Sequence, residues 1–511
     1  MAVQGTQRAL EQLAAGRSAC VWHRFIADTL TPVGAALRLM VAERGDFLLE
    51  SVEGGESRGR YSLLGLDPDL MFRAKGRDAQ VNAEWQTNRT AFVPSPGDPL
   101  MELQALHSAC RFDLPEDLPP ALACLVGYMS FEAARLVEDF PTAASDPLDL
   151  PDILFVRPTV LLVFDQLKDE VFCIAPVWSL IEGSDGSAAD AIAGASRRIE
   201  TTLAVLSQDA GVAADLAQPS RDGTGHSDIA LQPVLPAGRY VEKVAQAKEY
   251  IAAGDVFQVV LAQRFTAPFD LPPMALYRAL RRVNPSPFLY FLDLPDFAIV
   301  GSSPEILVRV RNGEVTVRPI AGTRPRGATP AADMAAETEL LADSKERAEH
   351  LMLLDLGRND VGRIAEAGSV VVTDSYRVER YSHVMHMVSN VCGRLGAQHT
   401  ALEAVLAGFP AGTVSGAPKI RACHIIAELE DEARGPYAGA VGYFAPDGSV
   451  DSCIVLRTAV VKDGLINVTA GAGIVAESDP MSEQRECEAK AGALFAAARE
   501  AIALAAGERA G

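Results

Sequence analysis

No run of basic residues offsets the acidic excess of this chain, in which 67 Asp and Glu face 46 Lys and Arg for a formal net charge of -21. That balance argues against a surface for nucleic acid or for an anionic membrane, since both need clustered cations. Long apolar runs are missing as well. The longest, such as 159–164, have the length of a strand and are far too short to span a bilayer. Residues 1–25 lack a basic-then-apolar signal pattern. The eight cysteines (Cys20, Cys110, Cys124, Cys173, Cys392, Cys423, Cys453, Cys487) include no Cys-x-x-Cys and no His/Cys spacing suited to zinc. The expectation is a cytoplasmic protein with reduced thiols, neither exported nor inserted in a membrane.

What is present is a chain of 511 residues, 49% hydrophobic and 22% charged, enough for two domains or one large elaborated fold. Composition shifts most over 181–236, where Gly-Ser-Asp-Gly-Ser, an Ala-rich helical stretch and Gln-Pro-Ser-Arg-Asp-Gly-Thr-Gly follow one another. This divides the chain into an N-terminal region (20–180), a linker (181–236) and a C-terminal domain (237–505). Strand-like runs at 46–52, 61–66, 122–128, 153–164 and 170–175 predict a mainly antiparallel sheet upstream. Downstream, strands at 257–265, 288–292, 297–301, 306–310, 314–319, 437–444, 453–462 and 465–470 mingle with helices. Those helices are expected at 238–253, over one long stretch 334–356, and at 482–505. No fixed-period repeat occurs, and the alternation is too irregular for a barrel or a doubly wound sheet. The fold class expected is α+β, a large antiparallel-sheet core with surrounding helices.

Two Glu-x-x-Glu pairs, Glu346 with Glu349 and Glu483 with Glu486, flank the run Arg318-Pro319-Ile320-Ala321-Gly322-Thr323-Arg324-Pro325-Arg326-Gly327. Residues three apart share a helix face, so each pair can present two carboxylates, and two helices can hold a Mg2+ that keeps water and a substrate oxygen. Taken alone, such a pair is more often a solvated face. The arginines of the intervening run concentrate positive charge, as an acidic protein needs if it binds an acidic metabolite.

The ordered set of motifs resembles, over nearly the whole length, the chorismate-utilising enzymes and, within them, the anthranilate synthase component I family. The motifs are Leu48-Leu49-Glu50-Ser51 with Arg60-Tyr61-Ser62, Gly254-Asp255-Val256-Phe257-Gln258, Asn284-Pro285-Ser286-Pro287-Phe288, Ser303-Pro304-Glu305, the Arg318 run, and Glu349-His350 through Asn359-Asp360. Val384-Met385-His386, Pro410 to Lys419, and Gly471-Ala472-Gly473-Ile474 leading to Glu486 complete it.

The resemblance implies a component I type fold and amination of chorismate at C2, with loss of pyruvate to give anthranilate. It implies Mg2+ on Glu349 and Glu486, and catalytic roles for Glu346 (general acid), His386 (base at C2, with His383 a weaker rival) and Thr413. Substrate contacts are implied for Gly322, Thr323, Tyr437, Arg457, Gly471, Ala472, Gly473 and Lys490. Leu49, Glu50 and Ser51, with Arg60 and the segment Asn284, Pro285, Ser286, Pro287, Phe288, match a pocket for L-tryptophan as feedback inhibitor.

Two positions separate the family's chemistries. Relatives making aminodeoxychorismate carry a lysine nucleophile where this chain has Ala321, and those adding water carry a lysine base where it has Gln258. A methyl group cannot attack and a carboxamide cannot deprotonate water, so ammonia attack at C2 is expected. The chain has no Gly-x-Cys-x-Gly nucleophile motif, so a separate glutamine amidotransferase subunit and a hetero-oligomer are implied. Aminodeoxychorismate synthase, or a silent tryptophan-binding regulatory subunit, is the alternative.

Overall fold

The computed structural model describes residues 2–51, 60–178, 187–208, 229–380 and 384–507. The N-terminal half runs α1 (Thr6–Ala14), β1 (Ala19–Ile26), α2 (Pro32–Leu39), β2 (Asp46–Glu50), β3 (Tyr61–Leu66), β4 (Leu70–Lys75), β5 (Asp78–Asn82), β6 (Val93–Ser95), α3 (Pro99–Ala109), β7 (Leu125–Met129), β8 (Ile153–Arg157), β9 (Val160–Asp165), β10 (Glu170–Val177) and α4 (Ala188–Leu206). The remainder begins with β11 (Gln232–Pro233), α5 (Arg239–Ala253), β12 (Gln258–Pro268), α6 (Pro273–Val283), β13 (Phe288–Leu294), β14 (Phe297–Ser303), β15 (Ile306–Arg311), β16 (Glu314–Val317), β17 (Ile320–Pro325), α7 (Pro330–Ala342) and α8 (Ser344–Gly362). It ends with β18 (Val371–Arg380), β19 (Val384–Arg394), α9 (Ala401–Ala407), β20 (Gly416–Ala417), α10 (Lys419–Leu429), β21 (Ala440–Phe444), β22 (Val450–Ile454), β23 (Thr458–Lys462), β24 (Leu465–Ile474) and α11 (Pro480–Ala505).

These strands build two twelve-stranded antiparallel sheets, each drawing on both sides of the 181–236 segment. Outward from the β2·β13 contact, the first sheet runs β2, β3, β9, β10, β1 on one side and β13, β14, β23, β24, β12 on the other. Outward from the β7·β21 contact, the second runs β7, β8, β4, β5 and β21, β22, β15, β16. Each half of the chain supplies the same strands in the same chain order, so the fold is an internal repeat about a pseudo-two-fold axis. The α+β class with an antiparallel core is thus as expected.

Four connections pass from one sheet straight into the other: β3 to β4, β8 to β9, β14 to β15, and β22 to β23. This corrects two expected elements. The run 153–164 is two strands because Pro158 has no N–H for the ladder. The run 453–462 is likewise two strands, because Arg457 at φ 47° turns the chain between sheets. The long helix expected at 334–356 is also two: Asp343 (φ -70°, ψ 112°) closes α7 and its carboxylate caps α8, accepting from the N–H groups of Lys345 at 2.9 Å and Glu346 at 3.2 Å.

Strand alternation divides the core. Phe47, Leu63, Leu161 and Ile299 meet Met71, Val126, Val156 and Cys453 between the sheets. Leu48, Leu64 and Leu162, one residue along, belong instead to the cluster that includes the helix residues of α1, α2, α4 and α11. Strands buried on both faces read as unbroken apolar runs, as in Val160–Asp165.

Candidate active site

The acidic pairs sit at the starts of two helices. Asp343 places Glu346 in the first turn of α8, and Asp479, accepting from Ser482 N–H at 2.9 Å, places Glu483 in the first turn of α11. First-turn carboxylates are favoured there by the helix dipole. The helices face each other electrostatically. Burial, then the carboxylates of Glu346 and Glu486, holds the Glu349 carboxyl above its ordinary range, opposed by Lys345 and Lys490. Burial, aided by Glu486 and opposed by a Ser478 hydrogen bond, does the same for Glu483. Lys490 bridges from the Glu486 carboxylate, 2.7 Å, to the Gly471 carbonyl, 2.9 Å.

Gly322 sits at a register shift between β17 and β19, with φ 66°, a conformation that a β-carbon disfavours. A Cβ there would lie 2.9 Å from Leu340 and 3.1 Å from the Glu346 carboxylate. The bulge turns the Gly322 carbonyl to His386, whose Nδ1 is 3.1 Å away, with Thr323 Oγ1 at 3.0 Å from the same nitrogen. A carbonyl only accepts, so Nδ1 carries the proton and Nε2 is the basic nitrogen of the ring. Burial first, and Arg457 second among the lowering influences, keeps the His386 pKa below its ordinary value. His383 lies outside the described residues.

Arg457 sits at the β22-to-β23 crossing, half-buried, and its guanidinium makes no ion pair among the described residues; burial lowers its pKa. Such a cation calls for an anion. Tyr437 lies close against Gly471: its hydroxyl would be 2.7 Å from a Cβ there. Gly473 comes equally close to Gln258, whose Nε2 would be 2.5 Å from a Cβ there and whose buried Oε1 has no partner among the described residues. Ala472, between them, is fully buried. Thr413 lies in a 3-10 turn, Gly412–Val414, that packs on α8. Thr413 leads to a residue to which the family resemblance gave no role. Glu305 lines the same small pocket, and burial pushes its carboxyl up to about 8. Ser303-Pro304-Glu305 was legible as a motif. The burial that changes its acidity was not.

The proposed effector residues gather less completely. Leu49, Glu50, Ser51, Arg60, Pro287 and Phe288 line a cavity of about 340 Å3 between the sheets, whereas Asn284, Pro285 and Ser286 do not reach its wall. The Glu50 carboxylate is engaged by Tyr277 OH at 2.6 Å and Arg281 at 3.0 Å, and Arg60 is engaged by Asp165 at 2.6 and 2.8 Å. Arg309, Arg311, Tyr443, Asp451 and Cys453 complete the wall and were not anticipated; alternating Arg-x-Arg in a strand was the available signal. Arg318 and Ile320 line it too, the latter two residues from Gly322.

The family model for chorismate binding enzymes matches residues 46–496. Anthranilate synthase component 1 of Cereibacter sphaeroides is 50% identical over 95% of this chain and 96% of its own. That of Thermus thermophilus is 45% identical over 94% and 97%. Among solved structures, anthranilate synthase component I from Streptococcus pneumoniae superposes with a TM-score of 0.72 at 34% identity, covering 92% of this chain and 99% of its own. The menaquinone-specific isochorismate synthase MenF of Escherichia coli, at 20% identity and TM-score 0.67, shares the fold.

Proposed function

This chain belongs to the chorismate-binding enzymes, in the anthranilate synthase component 1 group, and from that premise we propose that it aminates chorismate at C2 with ammonia and releases pyruvate to give anthranilate. The observation carrying the reading is the opposition of Glu346 and Glu349 on α8 to Glu486 on α11, together with the Arg457 guanidinium, which has no ion pair among the described residues and acts on His386.

Among the described residues no three His, Cys, Asp or Glu side chains form a ready-made metal cage. The site nonetheless fits Mg2+, because burial, and after it the charge of neighbouring carboxylates, holds the Glu349 and Glu483 carboxyls up, and a cation would relieve that charge. A hydrated cation needs only one or two protein carboxylates. Glu349 and Glu486 would hold it, and as a Lewis acid it would polarise a substrate carboxylate.

The chain's own groups supply the rest. Arg457 and Lys490 bind the substrate's two carboxylates, and the Gly471-Ala472-Gly473 backbone approaches the ring closely. Glu346, held by Arg324 at 3.1 Å, protonates the departing C4 hydroxyl. Ammonia adds at C2 between Ala321 and Gln258, neither of which can serve as the nucleophile or as a base for water. Nε2 of His386, kept neutral by burial, removes the C2 proton as pyruvate leaves. The relatives' designation as component 1 supports a second component, a glutamine amidotransferase that supplies ammonia, and thus a hetero-oligomer. Among the described residues no helix is long and apolar enough to cross a membrane, which accords with a cytoplasmic site of action. The 340 Å3 cavity takes L-tryptophan, and Ile320 and Arg318 carry its effect to Gly322 and Thr323.

The test is product analysis of the purified chain with chorismate, Mg2+ and ammonium at mildly alkaline pH. Fluorescent anthranilate and pyruvate, abolished by EDTA and reduced by tryptophan, are expected. Isochorismate or aminodeoxychorismate instead would overturn the weight placed on Gln258 and Ala321.

A further inference from the structure

The pseudo-two-fold axis gives the 340 Å3 cavity a counterpart. That cavity is walled by Tyr61 on β3, Arg309 on β15 and Asp451 on β22. Exchanging each strand for its mate gives β14, β4 and β8, and these wall a second cavity of about 740 Å3 through Phe297, Arg73 and Leu154. The volume is within the usual range for small-molecule sites.

The two cavities differ at matched registers. Arg309 lies opposite Asp451 across the strand pair and is neutralised by it at 3.1 Å. Arg73, its mate, lies opposite Leu154. Arg73 therefore makes no ion pair among the described residues. Its Nε donates to Gln80 Oε1 at 2.9 Å, its guanidinium lies 3.7 Å over the Phe92 ring, and its two terminal nitrogens bond to nothing described. The same exchange recurs at the other wall. Tyr61 pairs in register with Asp165, whereas Phe297 pairs with Lys462. Among the described residues the Lys462 ammonium bonds only the Leu148 carbonyl, at 2.8 Å. Carboxylates at the rim, Asp78, Asp149 and Asp296, face four cations, and Asp149 is already held by Lys75 at 3.5 Å.

We propose that this second cavity is a binding site for a small aromatic carboxylate, its carboxylate on the terminal nitrogens of Arg73 with Lys462 in support, and its ring against the Trp85, Phe92 and Phe297 wall. The chemistry selects that class. A guanidinium fixed at Nε by a carboxamide and stacked on a ring presents a planar fork that matches a carboxylate. A partly buried cation that lacks its cross-strand carboxylate is stabilised by a ligand that brings one. In a protein of net charge -21, such a cation stands out as a local attractor. Neither the occupant of the first cavity nor the reaction catalysed bears on this site.

Isothermal titration of the full chain with benzoate tests it, with benzamide as the uncharged isostere and inorganic phosphate as the ringless anion. Saturable benzoate binding, at least tenfold weaker in Arg73→Gln and measurably weaker in Lys462→Gln, with benzamide and phosphate inert, is expected. Lys462, at a strand end, guards against the case in which the Arg73 variant fails to fold, and unchanged chorismate turnover verifies both folds. Benzoate binding that survives both substitutions, or no benzoate binding at all, overturns the proposal. Equal binding of phosphate reduces the site to a general anion trap, and equal binding of benzamide removes the role of Arg73; either result also overturns it.

Discussion

Glu305 shows how much a single residue's chemistry depends on its surroundings. Its carboxyl is held near 8 by burial, against an ordinary value of about 4.5. A carboxyl whose folded pKa is raised contributes stability fully below its unfolded pKa, and that contribution is lost as pH rises through the folded value. Thermal melts of the wild type should therefore decline between about pH 5 and pH 8, Glu305 contributing several kcal/mol since each pH unit separating the folded and unfolded values is worth roughly 1.4 kcal/mol. Glu305→Gln should make the decline shallower, the buried Glu132 and Asp293 carboxyls, raised to about 7, sustaining the rest. A variant that melts with the wild-type pH dependence would remove Glu305 as the cause. His386 behaves in the opposite sense. With its pKa lowered by burial, the base stays neutral to below about pH 6.5, so the acid limb of kcat/KM should fall below that value. His386→Asn should abolish that limb and reduce kcat at least about a hundredfold. Motif order alone brought out His386, Arg457 and the acidic pairs. Glu305 and Arg73 could not be weighed that way, because their distinguishing property is burial or a missing cross-strand partner.

At the scale of elements, helix breaks carry function that helix propensity hides. Residues 334–356 favour helix throughout, yet Asp343 interrupts them, caps α8, and holds Arg324 at 2.8 Å while Arg324 holds Glu346. Asp343→Ala should cost about 1 kcal/mol of stability, the usual value of a lost cap, and lower kcat; Asp343→Asn should retain the cap and most of the stability. Gly322→Ala should leave the melting temperature within a few degrees but cut turnover roughly tenfold or more, because a β-carbon at φ 66° presses on Glu346. Element positions were largely legible from apolar runs, as at Tyr61–Leu66 and Arg239–Ala253. The crossings at Pro158 and Arg457 were not, since a strand leaving one sheet for another keeps the same apolar character on both sides of the bend.

For the whole molecule, the internal repeat was invisible to the sequence because the two halves share register and not residues, as Arg309 opposite Asp451 and Arg73 opposite Leu154 illustrate. The halves meet along β2·β13 and β7·β21 and share the core between the sheets. Calorimetry should accordingly show one cooperative transition, and a fragment ending at Gln208 should not fold alone; separate transitions for the two halves would contradict this.

The four strand connections that run from sheet to sheet also limit how the protein can move. Packed layers commonly slide by shear, but layers stitched through continuous backbone at Asp67, Pro158, Pro304 and Arg457 have no slip plane. Compliance is left to parts outside the stitching: the outer strands β17, β18 and β19, β18 pairing the far side of β19, with α7 and α8 riding on them. That lever arm carries Gly322, Glu346 and His386 together, so these three residues can tilt as one edge without a rearrangement of the frame.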